Sequence, residues 1–215
     1  MTSIGTSPRP DLSLERALAV ENGAVRIAGV DEAGRGALAG PVFAAAVILP
    51  LDDTSTNNLR EVRDSKLLSP IARERLFNII CESNTCYAIG SCSAEWIDEF
   101  GIMSATRQAM TEAVSRLPVA PNALLVDGPL RLIEGNIPQK PVVRGDRISL
   151  SIAAVFILAK VSRDRYMLAL HEAYPEYNFN HHKGYGTAGH LAALGRHGPC
   201  DEHRRSFAPL KLGWF

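Results

Sequence analysis

Asp31 and Glu32 stand side by side where a β-prone apolar stretch, Val25-Arg26-Ile27-Ala28-Gly29-Val30, runs into Gly34-Arg35-Gly36. Residues without Cβ let a backbone approach a ligand closely, so this corner suits a cation beside a phosphate. Two more aspartates occupy matching places: Asp127 ends the apolar run Ala123 to Val126, and Asp146 follows Pro141-Val142-Val143-Arg144-Gly145. Strand ends in one sheet converge, and clustered carboxylates raise one another's pKa unless a counter-charge is supplied. All-oxygen donors favour a hard ion, Mg²⁺ or Mn²⁺, over zinc. Two such ions about 4 Å apart would activate water and stabilise the leaving oxygen in phosphodiester hydrolysis. Side chains alternate along a strand, so Asp31 and Glu32 share a site only if the strand ends between them or Glu32 also offers its carbonyl.

The elements that must position these groups follow from pattern. Val25 to Val30 and Pro41 to Leu49 read as neighbouring strands joined by a connection holding Gly34, Gly36 and Gly40. Ser69-Pro70 opens an amphipathic helix through Ile80, with Ser as cap and Pro at the first helical position. Thr85 to Ser93 is a third strand. Ala94 to Leu117 is helical with a break near Gly101, and Pro118 and Pro121 end it. Ala123 to Val126 and Pro141 to Arg144 are further strands. Ser149 to Ala173 is a long helix whose first half, apolar all round, is buried against the sheet. A loop rich in His, Gly and Tyr follows Tyr174-Pro175, then a short helix over Ala188 to Leu194. The class is α/β.

The chain has 215 residues, 46% of them hydrophobic, enough for one main domain. Lys plus Arg equals Asp plus Glu at 23 each, so a nucleic-acid partner has to be held by a local basic patch. No apolar run reaches the roughly 18 residues of a membrane span, which predicts a soluble cytoplasmic protein with no membrane partner. Cys81, Cys86, Cys92 and Cys200 lack C-x-x-C spacing and read as reduced thiols.

Taken together in order, D-E-A-G-R-G with A-G-P-V, D-S-K at 64–66, V-D-G at 126–128, G-D at 145–146, I-L-A-K-V-S-R-D-R at 157–165, K-G-Y-G-T at 183–187 and H-R-R-S-F at 203–207 are similar to the bacterial ribonuclease HII family. The match runs from about residue 27 to 207. The resemblance implies a ribonuclease H-like fold, a mixed five-stranded sheet flanked by helices with a C-terminal helical extension. It divides the chain into a flexible segment 1–22, a catalytic domain 23–174 and a substrate-binding extension 175–215. It also implies a monomeric endonuclease that cleaves the RNA strand of RNA/DNA hybrids and cuts 5′ to ribonucleotides embedded in duplex DNA, leaving 3′-hydroxyl and 5′-phosphate ends.

Asp31, Glu32, Asp127 and Asp146 match the metal ligands of the family, and Gly34, Arg35, Gly36, Lys66, Lys183 and Tyr185 its substrate contacts. A site built around one 2′-hydroxyl rejects the analogue lacking it, because its own polar groups are left unpaired. In the resemblance, the glycine segment and Tyr185 do this, the ring testing the next sugar. Arg144, Arg147, Lys160, Arg163, Arg204 and Arg205 are further candidates for phosphate contacts. Asp164, four residues after Lys160, reads instead as a helix salt-bridge partner. His181 and His182 have no third ligand at metal spacing and line the loop.

Two departures stand out. Ala37 replaces the proline usual after G-R-G, and Val155-Phe156 replaces Ala-Ser before I-L-A-K. Phe156 shares a helix face with Lys160 and Asp164, which motivates an alternative, a catalytically impaired paralogue that binds hybrids. A nicotinamide-binding loop is disfavoured, because the spacing is G-x-G-x-x-x-G and Pro41 follows where a helix should start. Lys211 to Phe215 faintly resembles sliding-clamp peptides, although packing back onto the domain is the simpler expectation.

Overall fold

The structure, a computed structural model, describes residues 9–62, 68–83, 85–129 and 137–214. Lys66, with the rest of D-S-K, lies outside the described residues, as does Phe215.

Five strands form one mixed sheet. β1 (Ile27–Ala33), β2 (Val42–Ile48) and β3 (Cys86–Cys92) make an antiparallel meander, and β4 (Ala123–Asp127) and β5 (Gln139–Val142) add in parallel on the other side of β1. The order is β3-β2-β1-β4-β5, with β1 central. Seven helices are described: α1 (Ser13–Asn22), α2 (Pro70–Glu82), α3 (Ala94–Phe100), α4 (Ile102–Ser115), α5 (Leu150–Ala173), α6 (Phe179–His182) and α7 (Ala188–His197).

The central strands are buried on both faces, which explains their nearly continuous apolar sequence. On one face Ala33, Ala45 and Val47 pack on α5 and on Leu76 and Ile80 of α2. On the other, Ala28, Val30, Ala44 and Ala46 meet Ala105, Ala109 and Met110 of α4. Small residues set the close approach. A Cβ on Gly90 of β3 would lie 2.2 Å from the Ala109 carbonyl oxygen, and one on Gly29 of β1 would lie 2.6 Å from Ser151 Oγ of α5.

Helix starts follow their caps. Ser69 Oγ accepts the Ala72 amide at 3.2 Å, and Ser149 Oγ accepts the Ile152 amide at 3.2 Å. Gly101, at φ 81°, makes the break between α3 and α4.

Two elements differ from expectation. Residues 13–22, expected within a flexible start, form α1, whose Leu18 packs with Ile27, Leu125 and Ile152. Glu15 of α1 is buried, and its Oε1 accepts Ser149 Oγ at 2.6 Å, the Ser151 amide at 2.9 Å and Ser151 Oγ at 2.6 Å. A buried carboxylate over the first turn of α5 thus does what a longer apolar face would otherwise do. The last strand spans Gln139–Val142 rather than 141–144, because Arg144 turns to φ 57° and Val143 faces solvent.

The chain after α5 builds a third core, in which Met167, Tyr177, Phe179 and Leu194 close over Leu38 and Ala39 of the β1–β2 connection. That core ties the glycine loop to the C-terminal segment. Among the described residues no helix is long and apolar enough to cross a membrane.

Candidate active site

β1 does not end between Asp31 and Glu32. Pairing with β2 continues through Ala33, whereas pairing with β4 stops at Val30 and Val126. The two carboxylates therefore alternate: Asp31 lies on the α5 face with Gly29 and Ala33, and Glu32 on the α4 face with Ala28 and Val30. Asp127 ends β4 at the open flank of β1, with its Oδ1 accepting the Gly145 amide at 2.7 Å. Asp146 rides a single 3₁₀ turn, Gly145–Arg147, between β5 and α5, and is buried. Asp127 holds that turn by its first amide, so one ligand candidate orients the segment bearing another.

Electrostatics confirm the convergence. Burial pushes the Asp31 carboxyl well above the usual range, and the charges of Glu32, Asp127 and Asp146 push it further; acceptance of the Glu32 amide at 2.6 Å opposes them. Glu32 is raised by burial, lowered by the Arg35 guanidinium 3.5 Å away, and raised again by Asp127. Asp127 thus reaches both faces of β1. Among the described residues no three His, Cys, Asp or Glu side chains close around one point as a ready-made ion cage. Mg²⁺ does not require one, because it takes one or two carboxylates and completes its shell with water and substrate oxygens. Oxygen-only donors, buried and mutually repelling, fit such an ion.

Gly34 and Gly36 differ sharply. Gly34 sits at φ +91°, and a Cβ there would lie 1.9 Å from Arg163 Nε, whereas Gly36 faces open space. Arg35 is exposed, with Nη2 2.9 Å from Met103 Sδ. Behind the loop lie two guanidiniums that sequence reading assigned to phosphate. Arg163 and Arg204 are both fully buried. Arg163 donates to the carbonyls of Pro41 (3.1 Å), Ala39 (3.0 Å) and Lys183 (2.9 Å), and Arg204 to those of Gly40 (2.9 Å) and Arg35 (3.0 Å). Neither has a carboxylate within salt-bridge distance among the described residues. Burial, with the neighbouring Arg163 charge, pulls Arg204 down to about 9. They are braces that fix the loop backbone, and their charge makes its surroundings positive.

Sequence reading missed this role because arginine is ordinarily a surface residue. A signal was present: Val155, Ala159, Arg163 and Met167 recur every four residues on one buried helix stripe.

Tyr185 is 37% exposed, 5.4 Å from the Arg163 guanidinium and 5.8 Å from Lys160 Nζ, measured to its ring centre. Lys183 takes φ 52°, and its Nζ donates to the Asn180 carbonyl; burial lowers its pKa. Lys160 pairs with Asp164 at 2.6 Å, as the helical spacing predicts. Arg144, Arg147 and Arg205 are exposed, and Phe156 is half-buried beside Lys160 on α5. His182 lines the loop, with Nε2 2.7 Å from the Tyr177 carbonyl oxygen.

A mixed five-stranded sheet with acidic residues at the ends of its central strands and helices on both faces is the architecture of the ribonuclease H-like nucleases. Within that class, the family model for Ribonuclease HII matches residues 28–210, and the chain belongs to that family. It is 48% identical over 203 residues to the ribonuclease HII of Geotalea uraniireducens, covering 94% of this chain and 92% of that one. It is 54% identical over 185 residues to ribonuclease HII 2 of Methylibium petroleiphilum, covering 86% and 83%. Among solved structures, the ribonuclease H2 of Pyrococcus horikoshii superposes with a TM-score of 0.73 at 24% identity, over 87% of this chain and 96% of that one. The ribonuclease HII of Archaeoglobus fulgidus, solved in complex with PCNA, superposes at 0.69 and 24% identity, over 83% and 93%. The chain is accordingly an endoribonuclease of the ribonuclease H type, acting on RNA/DNA hybrids.

Proposed function

We propose that this enzyme hydrolyses the RNA strand of hybrids and nicks duplex DNA 5′ to an embedded ribonucleotide, with Mg²⁺ or Mn²⁺ held by Asp31, Glu32, Asp127 and Asp146. The observation that carries this reading is the convergence of Asp127 and Asp146 on the buried Asp31, whose carboxyl their charges push upward. When bound, the metal supplies activated water and charge stabilisation at the leaving oxygen. Asp31 faces the α5 side and Asp146 joins it there, while Glu32, turned toward α4, contributes through Asp127 or its own carbonyl. The 3′-hydroxyl and 5′-phosphate products follow from water attacking phosphorus in line with the 3′-oxygen.

Gly34-Arg35-Gly36 reads the 2′-hydroxyl by its backbone. Gly36 is the member with room for a sugar, and Gly34 is the member that lets the loop lie on Arg163. Lys66 and Lys183 contact phosphate, and Tyr185 packs on the following sugar. The test is incubation with duplex DNA holding one ribonucleotide, in Mg²⁺, Mn²⁺ or chelator, with wild type and Asp31→Asn. Cleavage should require metal and Asp31; cleavage that survives either loss refutes the mechanism.

A second contact is favoured by the C-terminal segment. Leu212 and Trp214 are 59% and 70% exposed instead of packing back on the domain. The Archaeoglobus relative was solved with PCNA, and we read this tail as a sliding-clamp ligand. Unchanged clamp binding after deletion of residues 211–215 counts against it.

A further inference from the structure

Three histidines surround the segment that carries Tyr185, and their partners leave one protonation pattern. His203 Nδ1 lies 3.0 Å from the Cys200 amide nitrogen, which is only a donor, so Nδ1 accepts and the ring proton sits on Nε2. That Nε2 lies 3.0 Å from His190 Nε2, which must then accept. The proton of His190 is therefore on Nδ1, and it donates to the Tyr185 carbonyl at 3.0 Å. On the other side, His182 Nε2 donates to the Tyr177 carbonyl at 2.7 Å, and its Nδ1 accepts the Gly184 amide at 3.2 Å. The His182 and His190 rings stack at 4.3 Å, and the Tyr185 amide donates to the His182 carbonyl at 2.9 Å.

Every ring is satisfied only when neutral. A second proton on His203 would aim an N–H at the Cys200 N–H, and one on His190 would aim an N–H at His203 Nε2–H. Burial, reinforced by neighbouring rings, pushes His190 and His203 down to about 4. The titratable and charged groups facing the three rings are Tyr177, His181, Lys183, Cys200 and Arg205.

We infer that His190, held in its Nδ1–H tautomer by His203, is a positioning residue for substrate discrimination, because it fixes the Tyr185 carbonyl and with it the ring that tests the sugar after the ribonucleotide. The inference rests on the proposed role of Tyr185. The relay reaches Tyr185 from outside the metal site, so it acts on which junction is cut and leaves the hydrolytic groups in place.

Two isosteres separate positioning from bulk structure. Asn places its amide N–H near the position of His Nδ1, whereas Gln places its terminal oxygen near that of His Nε2. His190→Asn keeps the bond to Tyr185 and loses the one to His203; His190→Gln does the reverse. The readout is the ratio of kcat/KM on a single-ribonucleotide junction to kcat/KM on a continuous hybrid, with melting temperature measured in parallel. We expect His190→Gln to lower the ratio about tenfold, the equivalent of one misplaced hydrogen bond, and His190→Asn to hold it near wild type. We expect no further fall when His190→Gln is combined with Tyr185→Ala.

Equal effects of the two isosteres, or a fall that tracks melting temperature on both substrates, overturn the inference. An unchanged ratio in Tyr185→Ala alone overturns the reading of Tyr185 itself, and the inference with it. ¹⁵N NMR of the wild-type imidazoles, which needs no variant to fold, should show His190 as Nδ1–H and His182 and His203 as Nε2–H at pH 6.5. A different tautomer, or a charged ring, at that pH also overturns it.

Discussion

Gly34 and Gly36 flank one arginine yet answer to different demands. Gly34→Ala forces a Cβ into Arg163 at a positive φ, and should lower stability by roughly 2–4 kcal/mol, the sum of backbone strain and overpacking. Gly36→Ala meets nothing in the free protein, so its melting temperature should match wild type while kcat/KM falls about tenfold through lost approach to the sugar. Melting curves beside cleavage rates check both at once, and loss of stability in Gly36→Ala would contradict the division. Phe156 gives a third outcome: half-buried on the stripe of Lys160, its change to Ser should raise turnover, and equal turnover removes the case for impairment. The carboxylates were legible because Asp at the end of an apolar run is a strong positional signal. Arg163 and Arg204 were not, since nothing local shows that backbone carbonyls, rather than acids, will receive a guanidinium.

Strands and long helices could be read closely from period and caps, because both faces of the sheet are covered and the apolar residues report it. The exceptions have local causes. Val143 extends an apolar run past the point where β5 stops pairing, so hydrophobicity overstated the strand. α1 was hidden because its anchor is Glu15, a residue type that argues for solvent exposure. That anchor is testable. Glu15→Ala strands Ser149 Oγ and the Ser151 amide at the start of α5, and should cost about 1–3 kcal/mol. For a chain of this size that is a drop of roughly 2–4 °C in melting temperature per kcal/mol, measurable by calorimetry. A melting temperature equal to wild type would show that α1 is held by Leu12 and Leu18 alone.

A net charge of zero leaves acid stability to particular groups. His190 and His203, near 4 when folded and near the ordinary 6.5 when unfolded, bind fewer protons folded than unfolded between those values. Their contribution is therefore complete above pH 6.5 and is lost as pH falls through 4. Asp31 and Glu32, raised in the fold, run the opposite way, so the comparison that isolates the histidines is wild type against His190→Gln. The wild-type melting temperature should fall more steeply from pH 6.5 to 4 than that of the variant, and parallel curves would refute the assignment. The braces on the glycine loop also bear on synthesis. The carbonyls of Gly40 and Arg35 wait for Arg204, 164 and 169 residues later. At about 5–20 residues per second, roughly 8–34 s separate the emergence of the loop from that of its last anchor. The nascent chain carries its acidic residues out of the ribosome first and gains the means to hold a ribose last, so translating ribosomes do not display a finished nuclease beside the RNA they are reading.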